Sequence, residues 1–368
     1  MKNIKRILAV ALVLVMALSV VGCHKKGEIA VTIGDVEFTS AYYMCALMNA
    51  DSEAKAIIDE KLAEENKDKE QTEEAPEEVD YYSHKVEDKE YVQWVEDTAM
   101  KNLKKVAAYK TFAKKNKLEL DEETASNADM YAEYYWSSYG YSMYFEPNGV
   151  GQATYAQYSK DMYYSNLAFE FLYGKDGEKA IAADEVKTKI YDNFMIADML
   201  QGSYTEEMTT EQKADLKAKF ETYVDLLNKA EKTFEEVYIN YNGEQEETQT
   251  EQTEETDEPK PADKYAQIIG AEGTGYESEY YDVIKGLEVG TAKLIELTDG
   301  SGLMVAFKQD ITADAYYLET LDMSGRHLIA DEDFDKYMED YAKKLDVEVN
   351  DYAVKQFKVK KIVEPEYQ

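Results

Sequence analysis

The sequence predicts an α+β chain, and three of its patterns say so. Between residues 40 and 194, long runs place apolar side chains at three- and four-residue spacing, the repeat of a helix with one buried face. Residues 195–200 and the region up to Phe307 instead show short extended runs joined by turn residues, with Asp299-Gly300 as a hairpin signal. Helical spacing returns from about 312 to 345. At 368 residues the chain has room for two or three domains.

The first element is a leader. Lys2, Lys5 and Arg6 precede an apolar run from Ile7 to Val21, too short to be an ordinary membrane-spanning helix, which ends in Val20-Val21-Gly22-Cys23. Small or apolar residues before a lone cysteine resemble the lipobox of bacterial lipoproteins. That resemblance implies a signal peptide over 1–22, acylation of Cys23 with chains such as palmitate, and a membrane-anchored, extracytoplasmic protein. Two or more acyl chains, at roughly 0.8 kcal/mol per buried methylene, give stable anchoring.

Next, "IAVTIGDVEFTSAYYMCALMNA" alternates Ile29, Val31 and Ile33, turns at Gly34-Asp35, resumes at Val36 and Phe38, and enters a helix capped by Thr39 or Ser40. A charged run (60–80) follows as a helix extension or a flexible insertion. From Tyr91 to Lys117, Val92, Val95, Ala99, Leu103, Val106 and Ala113 trace an amphipathic helix. Asp121 is placed to cap another, which carries "YAEYYWSSYGYSMYF" (131–145) and stops at Pro147, Asn148 and Gly149. Helices over 152–173 and 181–194 complete the first half. In the second, a charged helix runs from about Thr210 to Lys232, and "FEEVYINYN" (234–242) reads as extended. Residues 243–263, "GEQEETQTEQTEETDEPKPAD", offer no apolar anchor and are expected to be a disordered acidic insertion. A short helix at "YYDVIK", a turn at Gly290, strands through Leu297 and Phe307, and a strand-like tail from Val347 follow.

Composition excludes several functions. A net charge of −35 repels nucleic acid, so no nucleic-acid partner is expected. With only two cysteines and three histidines there is no zinc spacing, and no metal is expected. Asp331, Asp333 and Asp335 begin like a calcium loop, but Lys336 stands where glycine belongs and Ala342 where glutamate belongs. Gly270, Gly273 and Gly275 lack the setting and the lysine of a phosphate loop, so no cofactor is expected. Cys45, within "AYYMCALM", reads as a buried apolar residue. His84 sits among charges without an evident partner, and His327 reads as a helix-surface residue.

Together, "VTIGDVEFTSAYYMCAL", "IAADEVKTKIYDNF", "YYDVIKGLEVGTAKLIELTDGSGLMVAFK" and "ADEDFDKYMEDYAKKLDVEVN" resemble, in order and spacing, the extracytoplasmic foldases of the PrsA/SurA type. The resemblance implies a helical chaperone domain over 23–194, a parvulin-like domain over 195–310, and a C-terminal helix and tail (311–368) that fold back onto the helical part. Active parvulins carry one histidine in an Ala-x-His pattern of the first strand and another in a Gly-Tyr-His pattern of the last. Here Ala197-Asp198-Met199 and Gly302-Leu303-Met304 stand in those places. Methionine neither donates nor accepts a useful hydrogen bond. The resemblance therefore implies a degenerate active site, with weak or absent catalysis of a rotation whose barrier is roughly 18–20 kcal/mol.

The tyrosines then have a use. Tyrosine gives a rigid apolar ring with a polar tip, and methionine adapts to many partners. Met130, Tyr134, Tyr135, Trp136, Tyr139, Tyr141, Met143, Tyr144 and Phe145 form a candidate wall for unfolded or nascent exported polypeptides, with Tyr155, Tyr158, Tyr163 and Tyr164 opposite. The alternative for these rings is core, since one helix cannot face them all the same way. Two other functions stay open: an active prolyl isomerase, and a solute-binding or surface-adhesion lipoprotein, although the latter normally alternates strand and helix through two lobes.

Overall fold

The computed structural model describes residues 27–66, 79–243 and 263–365. The leader, Cys23, residues 67–78 of the charged run and most of the acidic insertion lie outside the described residues. In chain order the elements are β1 (Ile29–Ile33), β2 (Val36–Thr39), α1 (Ser40–Asn66), the two-residue strands β3 (Lys85–Val86) and β4 (Lys89–Glu90), α2 (Tyr91–Asn116), α3 (Glu122–Ser138), α4 (Tyr141–Phe145) and α5 (Gln152–Tyr173). Then come α6 (Ala183–Asn193), β5 (Phe194–Ser203), α7 (Thr210–Asn228), α8 (Phe234–Asn242), β6 (Ala266–Gly270), α9 (Tyr281–Lys285), β7 (Ala292–Glu296) and β8 (Gly302–Gln309). The chain closes with α10 (Ala315–Thr320), α11 (Asp322–Ala342), β9 (Val347–Val349) and α12 (Asp351–Val354). The fold class is α+β.

Two compact units result: residues 1–172 with 333–368, and residues 173–332. In the first, β1 turns into β2 at Gly34, whose positive φ of 60° suits glycine. The Thr39 hydroxyl accepts the Tyr42 backbone N–H at 3.2 Å and starts α1. Strand β9 pairs antiparallel with β1, Val31 facing Val349, so both ends of the chain share one three-stranded sheet in the order β2-β1-β9. Beneath it α1 packs on α2, burying Cys45, Leu47 and Met48 with Val95, Leu103 and Val106. Burial holds the Cys45 thiol well above its ordinary pKa, as expected of an apolar residue. Buried Asp161 is satisfied by three donors: Tyr42 Oη at 3.0 Å, Lys110 Nζ at 2.8 Å and Gln157 Nε2 at 2.7 Å.

The second unit is built on an antiparallel sheet in the order β6-β5-β8-β7. Strand β8 pairs with β5 along its whole length, from Ile196 opposite Gln309 to Ser203 opposite Gly302. At that last pair a Cβ on Gly302 would lie 2.2 Å from the Gly202 carbonyl oxygen, so the backbones meet where no side chain fits. One sheet face packs Leu200, Leu303 and Val305 on Phe220, Leu227 and Val237 of α7 and α8. The other packs Met195, Ala197 and Met304 on Ile284 of α9. At the start of β5, Val186 and Ile190 of α6 meet Phe194, Ile268 and Leu321. Gly325 lets them approach, since a Cβ there would be 2.8 Å from Ile190.

Three expectations are corrected. Residues 234–242 are helical: Thr233 and Glu236 form a reciprocal capping box, and Phe234 and Val237 bury one face, which outweighs the strand preference of Val237, Tyr238 and Ile239. The tail is a strand only over Val347–Val349; Asn350 then accepts the backbone N–H groups of Tyr352 and Ala353 and turns it helical. The helix through 121–146 breaks at Gly140, φ 72°, ahead of Pro147. The compact units divide at 172/173 and 332/333, and α6, α10 and the start of α11 pack together with the start of β5.

Candidate functional site

The tyrosine-rich segment lies in the first unit. Asp121 caps α3 by accepting the Thr124 N–H at 2.7 Å. From there Ala128, Ala132 and Trp136, four residues apart, turn inward. Gly140 interrupts the helix and changes its phase, and Phe145 of α4 turns inward as well. Trp136, Phe145 and Tyr155 form one buried aromatic cluster, with Trp136 centroids 6.3 Å from Phe145 and 5.7 Å from Tyr155. These three belong to the core, which corrects their assignment to a binding wall. Tyr158 is half-buried as well, its ring 5.2 Å from Tyr42. Tyr164 is also half-buried, under the Lys110 ammonium, and Tyr163 half-buried beside it.

Of the remaining wall candidates, Tyr144 is half-buried and the others face outward. Tyr139 is 62% exposed, Met143 58% and Met130 55%, and Tyr131, Tyr134, Tyr135 and Tyr141 are exposed too. They are not scattered. Tyr134, Tyr135 and Tyr139 contact one another at 5.2–6.0 Å between centroids, and Tyr135 touches Tyr141 at 5.6 Å. Singly exposed apolar residues need no explanation, whereas a contiguous aromatic surface does.

A groove of about 340 Å³ runs beside this surface, lined by Met48, Asn49 and Ser52 of α1, by Tyr139, Gly140, Tyr141, Tyr144 and Phe145 around the break, and by Glu364 and Pro365. Burial raises the Tyr144 hydroxyl to about 12, so it stays protonated and available as a donor. Next to it, buried Asn148 holds the chain's own Val363 by both backbone groups: Nδ2 donates to the Val363 carbonyl at 2.9 Å, and Oδ1 accepts the Val363 N–H at 2.8 Å. Such a two-point grip reads main chain and is blind to side-chain identity. Lys55 bridges Asp51 and Glu364 at the same place. Nothing in the sequence distinguished Asn148 from an ordinary helix-stop residue.

Met199 and Met304 lie on the two central strands of the second unit. Met199 stands opposite Ala306 and Met304 opposite Gln201, so the two are diagonal neighbours on one face. Both pack in the cluster of Met195, Ile284 and Ile295, with Tyr280, Tyr281 and Val283 against it. Thioethers there supply packing and no proton transfer. His84 lies outside this unit, and His327 sits on α11, its Nδ1 2.6 Å from Asp331. Asp331, Asp333 and Asp335 are on the same helix, not in a loop. Among the described residues no group of three His, Cys, Asp or Glu side chains could hold a metal, and no helix is long and apolar enough to cross a membrane.

No protein-family model matches the chain, and no curated protein does. Among solved structures it is similar to the 3.10 Å crystal structure of the foldase protein PrsA from Lactococcus lactis, at 13% sequence identity and a TM-score of 0.36, over 72% of this chain and 89% of that one.

Proposed function

We propose that this chain is an extracytoplasmic holding chaperone of the foldase type, tethered to the membrane by acylated Cys23 and binding unfolded or nascent exported polypeptides on the Tyr134–Tyr135–Tyr139–Tyr141 surface. The observation that carries the reading is the contiguous, outward-facing aromatic surface of Tyr134, Tyr135, Tyr139 and Tyr141, beside a groove of about 340 Å³. Met130 and Met143 flank it with adaptable apolar contacts. Aromatic rings of this kind give contact area at low conformational cost. The strongly negative chain also stays soluble while holding sticky clients.

The parvulin-like second unit serves as scaffold in this reading. Its central pair of thioethers offers nothing to polarise an amide, so prolyl isomerisation should proceed at the uncatalysed rate. The test pairs two assays on the purified protein. Suppression of aggregation of a diluted, unfolded client should be strong, and should fall when Tyr134, Tyr135 and Tyr139 are replaced by serine with the circular dichroism spectrum unchanged. Isomerisation of a proline tetrapeptide should match buffer alone. Undiminished suppression by the triple variant would remove the surface from the function, and catalysed isomerisation would restore the enzyme reading.

A further inference from the structure

A cavity of about 800 Å³ in the second unit lies on the sheet face opposite Met199 and Met304. Its floor is Asp198 of β5, fully buried between Ala197 and Met199. One wall is the α7–α8 connection, where Ala230 takes a left-handed φ of 53°. The Asn228 amide pins that connection to β7, accepting the Ala292 N–H at 2.7 Å and donating to its carbonyl at 3.1 Å. The other wall is Asp263 to Tyr265, leading into β6.

Asp198 is incompletely satisfied. Its Oδ2 accepts from Gln309 Nε2 at 2.6 Å, and the same amide nitrogen reaches Asp263 Oδ2 at 3.3 Å. Its Oδ1 is buried with no hydrogen-bond partner. The Tyr317 hydroxyl of α10, which feels the charges of Asp263, Asp314 and Asp198, is likewise buried without a partner. A buried carboxylate oxygen without a donor is costly, and a second carboxylate nearby raises that cost. Both costs fall when a cation with N–H donors enters. Leu227, Phe234, Tyr265 and Phe307 line the approach with apolar surface, which suits an aliphatic stem, and their rings attract a cationic head.

We propose that this pocket binds the basic side chain of a polypeptide, the ammonium of lysine or the guanidinium of arginine, with Asp198 and Asp263 as its carboxylate seat. The polypeptide as carrier rests on the holding function above; the cation follows from the pocket alone. The remaining charges agree. Glu231, Glu235 and Glu236 face the cavity from the α7–α8 side with Lys232, and Lys264 from the other wall is 3.5 Å from Glu235. The net charge of −35 draws basic chains from a distance. Burial, then the charge of Asp263, push the Asp198 carboxyl up to about 7, against the lowering hydrogen bond from Gln309. An arriving cation favours the ionised carboxylate, so binding near pH 7 releases a proton from Asp198 to the buffer.

Calorimetric titration of the full chain tests this with blocked tripeptides Ala-Lys-Ala and Ala-Arg-Ala, the norleucine tripeptide, n-butylammonium chloride and CaCl₂. The basic tripeptides should bind at least about tenfold more tightly than the norleucine one, a difference of about 1.4 kcal/mol. Their heats at pH 7 should depend on the buffer's ionisation enthalpy, and that dependence should vanish at about pH 9. Asp198→Asn should abolish the proton release, and Asp263→Asn, at a half-buried position, should weaken binding by about tenfold. Equal binding of the norleucine peptide overturns the proposal, as does wild-type binding by both variants. Displacement of the lysine peptide by CaCl₂ would assign the carboxylates to a metal, and n-butylammonium binding as tightly as the peptide would assign the pocket to free amines. These readouts need no aggregation assay, so loss of the tyrosine surface as client site leaves them standing.

Discussion

Replacing Asp198 by asparagine should make the second unit more stable in neutral and alkaline solution, and the sign follows from the carboxyl's surroundings. Its folded pKa is raised from 3.8 to about 7, chiefly by burial and next by Asp263. The folded state therefore prefers the protonated acid. The associated stability is fully present below about pH 4, is lost as pH rises, and is gone above about pH 7. A rise of that size at full burial corresponds to about 4 kcal/mol; the open mouth of the cavity admits water, which brings the expected effect to about 2 kcal/mol. Asparagine keeps an oxygen for Gln309 and gains a donor toward Asp263 while carrying no charge. Because both tryptophans, Trp94 and Trp136, lie in the first unit, their fluorescence does not report on this change. Hydrogen exchange of β5 and β8 peptides by mass spectrometry does. At pH 8 the variant should exchange more slowly than the wild type by a factor equivalent to about 2 kcal/mol, and at pH 4 the two should coincide. Protection that differs by the same factor at both pH values, or not at all, would refute the reasoning.

Other perturbations test separate parts. Trp136→Ala empties the centre of the Trp136–Phe145–Tyr155 cluster and should cost the first unit about 3–5 kcal/mol in urea unfolding, against about 1–2 kcal/mol for serine at the exposed Tyr134, Tyr135 and Tyr139. Gly302→Ala drives a methyl into the Gly202 carbonyl and should prise apart the end of the β5–β8 pair, visible as faster exchange at Gly202 and Leu303. Cys23→Ser should move the protein from the membrane to the soluble fraction and remove the acyl mass from its N-terminal peptide.

Much of the helical half was legible because its information is local. Val95, Leu103 and Val106 repeat at helical spacing, and Asp121 precedes its helix at the capping position. The strand expected at 195–200 is present, and pairing with β6 and β8 extends it to Phe194–Ser203. Residues 234–242 carry β-branched and aromatic side chains that favour a strand, and the Thr233–Glu236 capping box beside them makes them helical. Which rings face outward could not be seen, since the answer depends on Gly140 resetting the helical phase between Trp136 and Phe145. Asp198 gave no signal at all. An aspartate on a strand looks like a solvent-facing residue, and it is buried by Gln309 and Asp263, distant in sequence. Asn148 likewise acquires meaning only when Val363 arrives beside it.

Client contact on the tyrosine surface is most directly measured by site-specific photo-crosslinking. A benzophenone side chain is placed at Tyr139, with the equally exposed Tyr352 of α12 as the comparison site, and the protein is irradiated with a labelled unfolded client. Crosslinks at position 139, lost in the presence of excess unlabelled client and absent at 352, are the expected result. Client captured equally at both positions, or at 352 alone, would contradict it.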